Sequence, residues 1–397
     1  MITLSDRINR LSESATLAMS RKSRELKAKG HDVINLSVGE TDFFTPDNIK
    51  GAAHKAIDDN YSFYTPVNGY QDLREAIAKK LKRDNNLSYD PGQIVVSTGA
   101  KQSIANAVLC LANPDDDVIV PAPFWVSYKE IVKMADANAV YVKAGIENDF
   151  KITPEQLEQA ITDKTRLFIF SSPCNPTGSV YSREELKALA DVFEKHPQIF
   201  IIADEIYEHI NFSGSHESIA QFDALKDRVI LVNGVSKGFA MTGWRVGYLA
   251  AHPEVALACT KIQGQFTSGT CSIAQRAALE AMETDPAERQ NMLAKFKERR
   301  DLVIELLKDI PGIKTNTPQG AFYLFINVET YFGKSDGEHT IKDADDLCMH
   351  LLNTAHIALV PGSAFGDDTC IRFSYATSNE MLNEAVKRMK NALAKLK

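Results

Sequence analysis

Short runs of apolar and β-branched residues recur between about residues 92 and 250: QIVVSTG, DVIVPAP, NAVYVKA, RLFIFSSP, IFIIADE, RVILVNG and RVGYLAA. Several are apolar at nearly every position, the pattern of strands covered on both faces. The stretches between them, such as SREELKALADVF at 182–193, carry apolar residues at helical spacing. This alternation predicts an α/β domain built on a mostly parallel, seven-stranded sheet sandwiched by helices.

The pattern changes further along. Residues 285–309 read as one long amphipathic helix, with Met292, Phe296, Val303, Leu306 and Leu307 on one stripe, stopped by PGIK. Then come GAFYLFINV, a helix near 342–353, the strands HIALVPG and IRFSYA, and a last helix opened by TSNE at capping-box spacing. Strands and helices mix here without strict alternation, which predicts a smaller α+β domain. The N-terminal segment, a helix ending near Gly30 followed by DVINLSVG, is assigned to the smaller domain. The expected divisions are 1–44 (N-terminal segment), 45–290 (large domain) and 291–397 (small domain). Two lobes suit a chain of 397 residues, because single cores stop growing at roughly 250–300 residues.

Charge and composition narrow the partners. A net charge of -7 without long blocks argues against nucleic acid or an anionic membrane, both of which demand a basic face. No apolar run approaches the ~18 residues of a membrane span. Six scattered cysteines without a CxxC fit reduced thiols in the cytoplasm, and nine histidines without HExxH give no metal expectation. Small soluble molecules are the expected partners.

Ligands of open α/β sheets sit beyond the carboxyl ends of the strands, and several polar residues fall there. QIVVS runs into TGAKQ, whose Gly99 precedes a helix start at Ala100 or Lys101, where exposed N–H groups suit a phosphate. IFIIA ends in Asp204-Glu205 with Tyr207 beyond, and a carboxylate at a buried strand end calls for a cationic partner. RLFIF ends in SSPCNPTG, a rigid loop that leaves Asn175 free to project. RVILVNG delivers Ser236 and Lys237 to the same edge, where desolvation makes an amine nucleophilic toward carbonyls. Arg245, eight positions on, offers bidentate geometry to a phosphate.

The run Gly234-Val-Ser-Lys237-x-x-Ala-Met-x-Gly243-x-Arg245-Val-Gly247 resembles the pyridoxal-phosphate attachment site of class I aminotransferases, the aspartate aminotransferase family of fold type I. SVGETDFFTP, FYTPVNGY, STGAKQ, PAPFWVSY, SSPCNPTG, ADEIYEHI, TPQGAFYLF, VPGSAFG and IRFSYATS resemble family blocks in the family's order. The resemblance is strongest to a bacterial subgroup that includes relatives acting on prephenate. It implies pyridoxal 5'-phosphate as cofactor and Lys237 as its attachment lysine, with Asp204 as partner of the pyridine nitrogen. Tyr207 and Asn175 would bind the phenolic oxygen, and Trp125 would cover the ring. Ala100, Ser236 and Arg245 would hold the phosphate with Tyr64 from a second subunit of a homodimer. Arg372, Gly39 and Asn175 would hold the substrate α-carboxylate, while Thr16 and Lys101 would receive a distal carboxylate.

The implied reaction is ping-pong exchange of an amino group between L-aspartate and 2-oxoglutarate. An aromatic amino acid or alanine aminotransferase is the near alternative, and a carbon–sulfur lyase a further one. A DNA-binding regulator on the same scaffold is not favoured, since no basic N-terminal module precedes these blocks. Three positions depart from the family's pattern: Ser12, where prephenate-competent relatives carry lysine, Thr41 and Cys174. Gly234 offers no hydroxyl to a phosphate, so Ser236 and the helix start must compensate.

Overall fold

The computed structural model describes residues 2–397. β1 (Ile34–Asn35) lies outside the large sheet, in a small two-stranded parallel pairing. Seven further strands form one sheet: β2 (Ile94–Ser97), β3 (Asp117–Ala122), β4 (Asn138–Lys143), β5 (Thr165–Ser171), β6 (Phe200–Asp204), β7 (Val229–Gly234) and β8 (Gly247–Ala250). Their order is β2-β8-β7-β6-β5-β3-β4, with β8 antiparallel to both neighbours and the other pairings parallel.

Alternate residues of each strand enter opposite apolar layers, which is why the runs contain so few polar positions. Ile119, Phe168, Ile201 and Leu231 pack on one side. Val118, Leu167, Ile202 and Val232 pack on the other. The carboxyl ends of β5, β6 and β7 therefore bring Ser171, Asp204 and Gly234 to one edge of the sheet.

The remaining strands build the smaller part. β9 (Tyr323–Asn327), β11 (Val360–Pro361) and β12 (Cys370–Ser374) make an antiparallel sheet in the order β11-β12-β9. β10 (Ile357–Ala358) pairs in parallel with β1, so the N-terminal strand hydrogen-bonds to the C-terminal part of the chain. Helices Gln290–Leu307 and Asn379–Leu393 cover this region, contributing Phe296, Val303, Leu382 and Met389 to its core. Ile206, Tyr207 and Ile210, from the loop after β6, are buried in that same core. The strand-end loop of the large sheet is thus clamped by the small one.

Three local expectations shift. The stretch read as one helix over 285–309 opens with a 3-10 turn at Pro286–Arg289, where Asp285 accepts from the Ala287 N–H, and the α-helix starts at Gln290. In TSNE the cap is Ser378, whose hydroxyl accepts from the Met381 N–H. The reciprocal glutamate of a capping box is missing, because the residue three beyond Ser378 is methionine. The helix expected near 342–353 is α-helical over Ala344–His350 and then widens into a π-helical turn, Leu351–Ala355.

Candidate active site

The turn after β2 is shaped by two close approaches that only glycine permits. Gly99 sits at φ +83° as N-cap of helix Ala100–Leu111, and a Cβ there would strike the Arg245 guanidinium. A Cβ at Gly247 would strike the Ala100 nitrogen. The backbone N–H groups of a helix start and a guanidinium, which donates to the Thr242 carbonyl at 2.8 Å, are thereby drawn together. That combination favours a phosphate dianion. Gly234 has its own reason: a Cβ there would lie 2.8 Å from Gly247 Cα and 2.9 Å from the Val246 oxygen. The crossing of β7 and β8 leaves no room for a hydroxyl-bearing side chain.

At the end of β6 the Asp204 carboxyl is buried, accepting from the Tyr128 hydroxyl at 2.7 Å (Oδ2) and from the Ile206 N–H at 3.3 Å (Oδ1). Burial pushes its pKa up to about 6, against the pull of these bonds. Lys237 lies just beyond β7, and its Nζ donates to the Gly39 carbonyl at 2.5 Å. Burial pulls this amine down to about 8, with the Glu40 carboxylate acting in the opposite direction. Both groups line one cavity of about 410 Å³.

The far wall of that cavity comes from the small sheet. Arg372, on β12, is 2 % exposed. Its Nη1 donates to Asn175 Oδ1 at 2.9 Å and its Nη2 to the Ser37 carbonyl at 2.5 Å. Its Nε is buried without a partner among the described residues. Burial lowers the guanidinium's pKa from its ordinary value. The Tyr207 hydroxyl meets that of Tyr323 at 2.8 Å. Trp125 meets Tyr128 edge-on at 5.5 Å, and the Lys101 amine sits 5.0 Å from the Trp125 ring. Lys101 has its pKa lowered by burial and then by Arg245.

Of the residues singled out from the sequence, Thr16, Gly39, Ala100, Lys101, Trp125, Asn175, Asp204, Tyr207, Ser236, Lys237, Arg245 and Arg372 line this cavity. Gly99 supports it as N-cap. Tyr64 is outside it and 99 % exposed. The sequence reading missed Tyr128 and Tyr323. Tyr128 had a faint signal, falling three residues after Trp125 in the first turn of helix Ser127–Met134.

The donor set fits a phosphorylated pyridine aldehyde. It offers an amine of depressed pKa, a buried carboxyl without a cationic hydrogen-bond partner among the described residues, a glycine-built anion cradle and an orphaned guanidinium N–H. Residues 31–389 match the family "Aminotransferase class I and II". The chain belongs to that family and is an aminotransferase dependent on pyridoxal phosphate.

Among its relatives is the bifunctional aspartate aminotransferase and glutamate/aspartate-prephenate aminotransferase of Petunia hybrida, 47% identical over all of this chain and 84% of the other. The fold is shared with the aspartate aminotransferase of Rhizobium meliloti, at TM-score 0.97 and 38% identity over the whole of both chains. The Thermus thermophilus aspartate aminotransferase solved with maleate superposes at TM-score 0.93, with 37% identity over 99% of this chain and 100% of that one.

Proposed function

We propose that this enzyme exchanges the amino group between L-aspartate and 2-oxoglutarate, giving oxaloacetate and L-glutamate by a ping-pong cycle. The observation that carries the reading is one cavity lined by the Lys237 amine, the Asp204 carboxyl and Arg372, whose Nε has no partner among the described residues. Pyridoxal phosphate supplies an aldehyde to carry the amino group and a ring that withdraws electrons from the substrate Cα.

The chain's residues divide the remaining work. Ala100, Ser236 and Arg245 would hold the phosphate, Asp204 the ring nitrogen, Tyr207 and Asn175 the phenolic oxygen, and Trp125 the ring face. Arg372 fixes the substrate α-carboxylate beside Gly39 and Asn175. Lys237 then removes the Cα proton at Nζ, as a base whose pKa burial already lowers to about 8 in the cofactor-free protein. Thr16 and Lys101 would receive the distal carboxylate. The relatives named for aspartate, and the neighbour solved with the dicarboxylate maleate, support that last assignment.

The test is coupled transamination of 2-oxoglutarate with each common amino acid, with prephenate added as an alternative oxo acid. Aspartate is expected to give the highest kcat/KM. A preference for aromatic amino acids or alanine would overturn the substrate assignment, and ammonia and pyruvate from a sulfur amino acid alone would indicate a lyase.

The partition at 1–44, 45–290 and 291–397 and a cytoplasmic setting complete the reading. Among the described residues no helix is long and apolar enough to cross a membrane. A homodimer is proposed from the exposed aromatic side chains Phe44, Phe63 and Tyr64, at 90%, 81% and 99%, with Tyr64 reaching the second subunit's phosphate. Sedimentation at micromolar concentration checks it, a monomer counting against it.

A further inference from the structure

We infer that Tyr323 is a positioning residue of this site, orienting the Tyr207 phenol through its hydroxyl and bracing the Arg372 guanidinium through its ring. The inference rests on the functional reading above and extends it to a side chain that reading does not use.

Tyr323 opens β9, where it pairs with Ser374 of β12, while Phe325 pairs with Arg372. Paired residues on an antiparallel ladder share a face and side chains alternate along each strand, so Tyr323 and Arg372 are diagonal neighbours on one face. Both line the cavity. The guanidinium lies 4.6 Å from the centre of the Tyr323 ring, with Phe365 at 4.9 Å as a further aromatic neighbour. At the other end of the phenol, the hydroxyl is 2.8 Å from that of Tyr207. It also closes against Gly39, where a Cβ would come within 2.5 Å of it. Gly39 is the residue whose carbonyl receives the Lys237 amine. One fully buried side chain thus touches the clamp for the carboxylate, the strand-end loop and the segment that holds the lysine.

The direction of the hydrogen bond follows from proton counting. A phenol has one proton to give. Tyr207 can donate to a phenolic oxygen of the cofactor only if Tyr323 donates to Tyr207. Among the described residues the Tyr323 hydroxyl has no other hydrogen-bond partner. Burial raises the pKa of both phenols, so both keep their protons. A donor that itself accepts a hydrogen bond is polarised and donates more strongly. Phenylalanine would fill the same volume without a buried hydroxyl to satisfy, so packing alone does not account for tyrosine here.

The experiment is a pH titration of the visible absorbance of the holoenzyme, with KM and kcat measured alongside. It compares the parent, Tyr323→Phe, Tyr323→Leu, Tyr207→Phe and the double Tyr207→Phe/Tyr323→Phe variant. A weaker Tyr207 donor stabilises the anionic cofactor oxygen less, so Tyr323→Phe should move the midpoint to higher pH by about half a unit. Its KM values should stay within about twofold of the parent, because the ring still braces Arg372. Tyr323→Leu should add a rise of about fivefold in KM for both substrates. In the Tyr207→Phe background, Tyr323→Phe should shift the midpoint no further. An unmoved midpoint in Tyr323→Phe, or the same shift with Tyr207 already replaced, overturns the inference while leaving the aminotransferase reading intact. A parent without any cofactor band overturns both.

Discussion

The Tyr128 hydroxyl donates to Asp204 Oδ2 at 2.7 Å, which makes a phenol the closest hydrogen-bonding partner of the carboxyl at the end of β6. The bond stabilises the ionised carboxyl that burial disfavours. Tyr128→Phe should therefore raise the Asp204 pKa above its present value of about 6, by roughly one further unit. The carboxyl stretching band of the cofactor-free protein, assigned by its loss in Asp204→Asn, would report the shift. A band that titrates unchanged in Tyr128→Phe would remove Tyr128 from this role.

Burial of Asp204 makes the stability of the cofactor-free protein depend on pH. Its folded pKa of about 6 lies above the ordinary 3.8, so folding favours the protonated form. The penalty for ionising it is absent below pH 3.8 and fully present above pH 6, where the shift corresponds to about 3 kcal/mol. In cofactor-free protein, Asp204→Asn should be more stable than the parent at pH 7.5, by up to about 3 kcal/mol. The advantage should shrink as the pH falls below about 6. Urea unfolding across that range checks both the size and the pH trend. Activity should be lost in the same variant, a stabilised but inactive site.

The Lys237 amine should be reactive far below the range of an ordinary lysine. With a pKa of about 8 against 10.5, half of it is neutral near pH 8 in the cofactor-free protein. Trace acetylation followed by mass spectrometry should show Lys237 labelling with a midpoint near pH 8, while exposed lysines stay mostly protonated. Because the Glu40 carboxylate raises this pKa, Glu40→Gln should move the midpoint lower still. An upward shift in Glu40→Gln would contradict the electrostatic account.

What could be read from the sequence divides along a physical line. Apart from the edge strand β4, the large-sheet strands were legible because burial on both faces leaves almost no polar residue in runs such as LFIF of β5, whereas β4, exposed or half-buried throughout, showed itself by β-branched Val140 and Val142. Lys237 stood out as an amine among small residues at a strand end. Contacts spanning long stretches of chain were not legible. Nothing local to Arg372 points to Asn175, 197 residues away, and its role came only from resemblance. Tyr323 sits in GAFYLFINV, which is apolar at nearly every position like any strand buried on both faces, so its polar tip looks incidental until Tyr207 is folded against it. Lys80, a buried lysine of helix Gln71–Asn85 that pairs with Glu208, was not singled out, although it shares the helical stripe of Leu73, Ala76, Ile77 and Leu81, all of them buried. The N-cap of the last helix was misplaced by one residue because TSNE offers two adjacent hydroxyls, and only backbone geometry chooses between them.

On the proposed assignment, specificity for an acidic substrate would hinge on Lys101. Its amine stands over Trp125 and, with burial and Arg245 both disfavouring its charge, gains most from an incoming carboxylate. Lys101→Ala should lower kcat/KM for aspartate by about tenfold or more, chiefly through KM, while phenylalanine changes by less than about threefold. Equal losses for the two substrates would show that the lysine supports the cavity wall rather than reading a distal carboxylate.

Behind the Asp204 loop lies a second charged cluster that holds the site in place. Lys80 forms an ion pair with Glu208, both side chains nearly fully buried, and donates to Asn85 Oδ1 at 2.8 Å. Asn85 in turn donates to Glu208 Oε2 at 2.8 Å, and His209 lies 3.0 Å from Oε1. Although burial works against it, the Lys80 charge keeps the Glu208 carboxyl well below the usual carboxylate range. Glu205, Glu208 and His216 offer ligand atoms within 4.8 Å of one another, yet the Lys80 ammonium already pairs with Glu208, so the cluster reads as structural rather than metal-binding. Removing one member of a buried pair strands the other, so Lys80→Met should destabilise the protein by about 3–5 kcal/mol. Lys80→Met/Glu208→Gln should recover part of that loss, because no buried charge is left alone. Urea unfolding of the four proteins in a double-mutant cycle measures the coupling. Additive effects would mean that the two side chains act independently, and that the Asp204 loop is held by its apolar residues Ile206 and Ile210 instead.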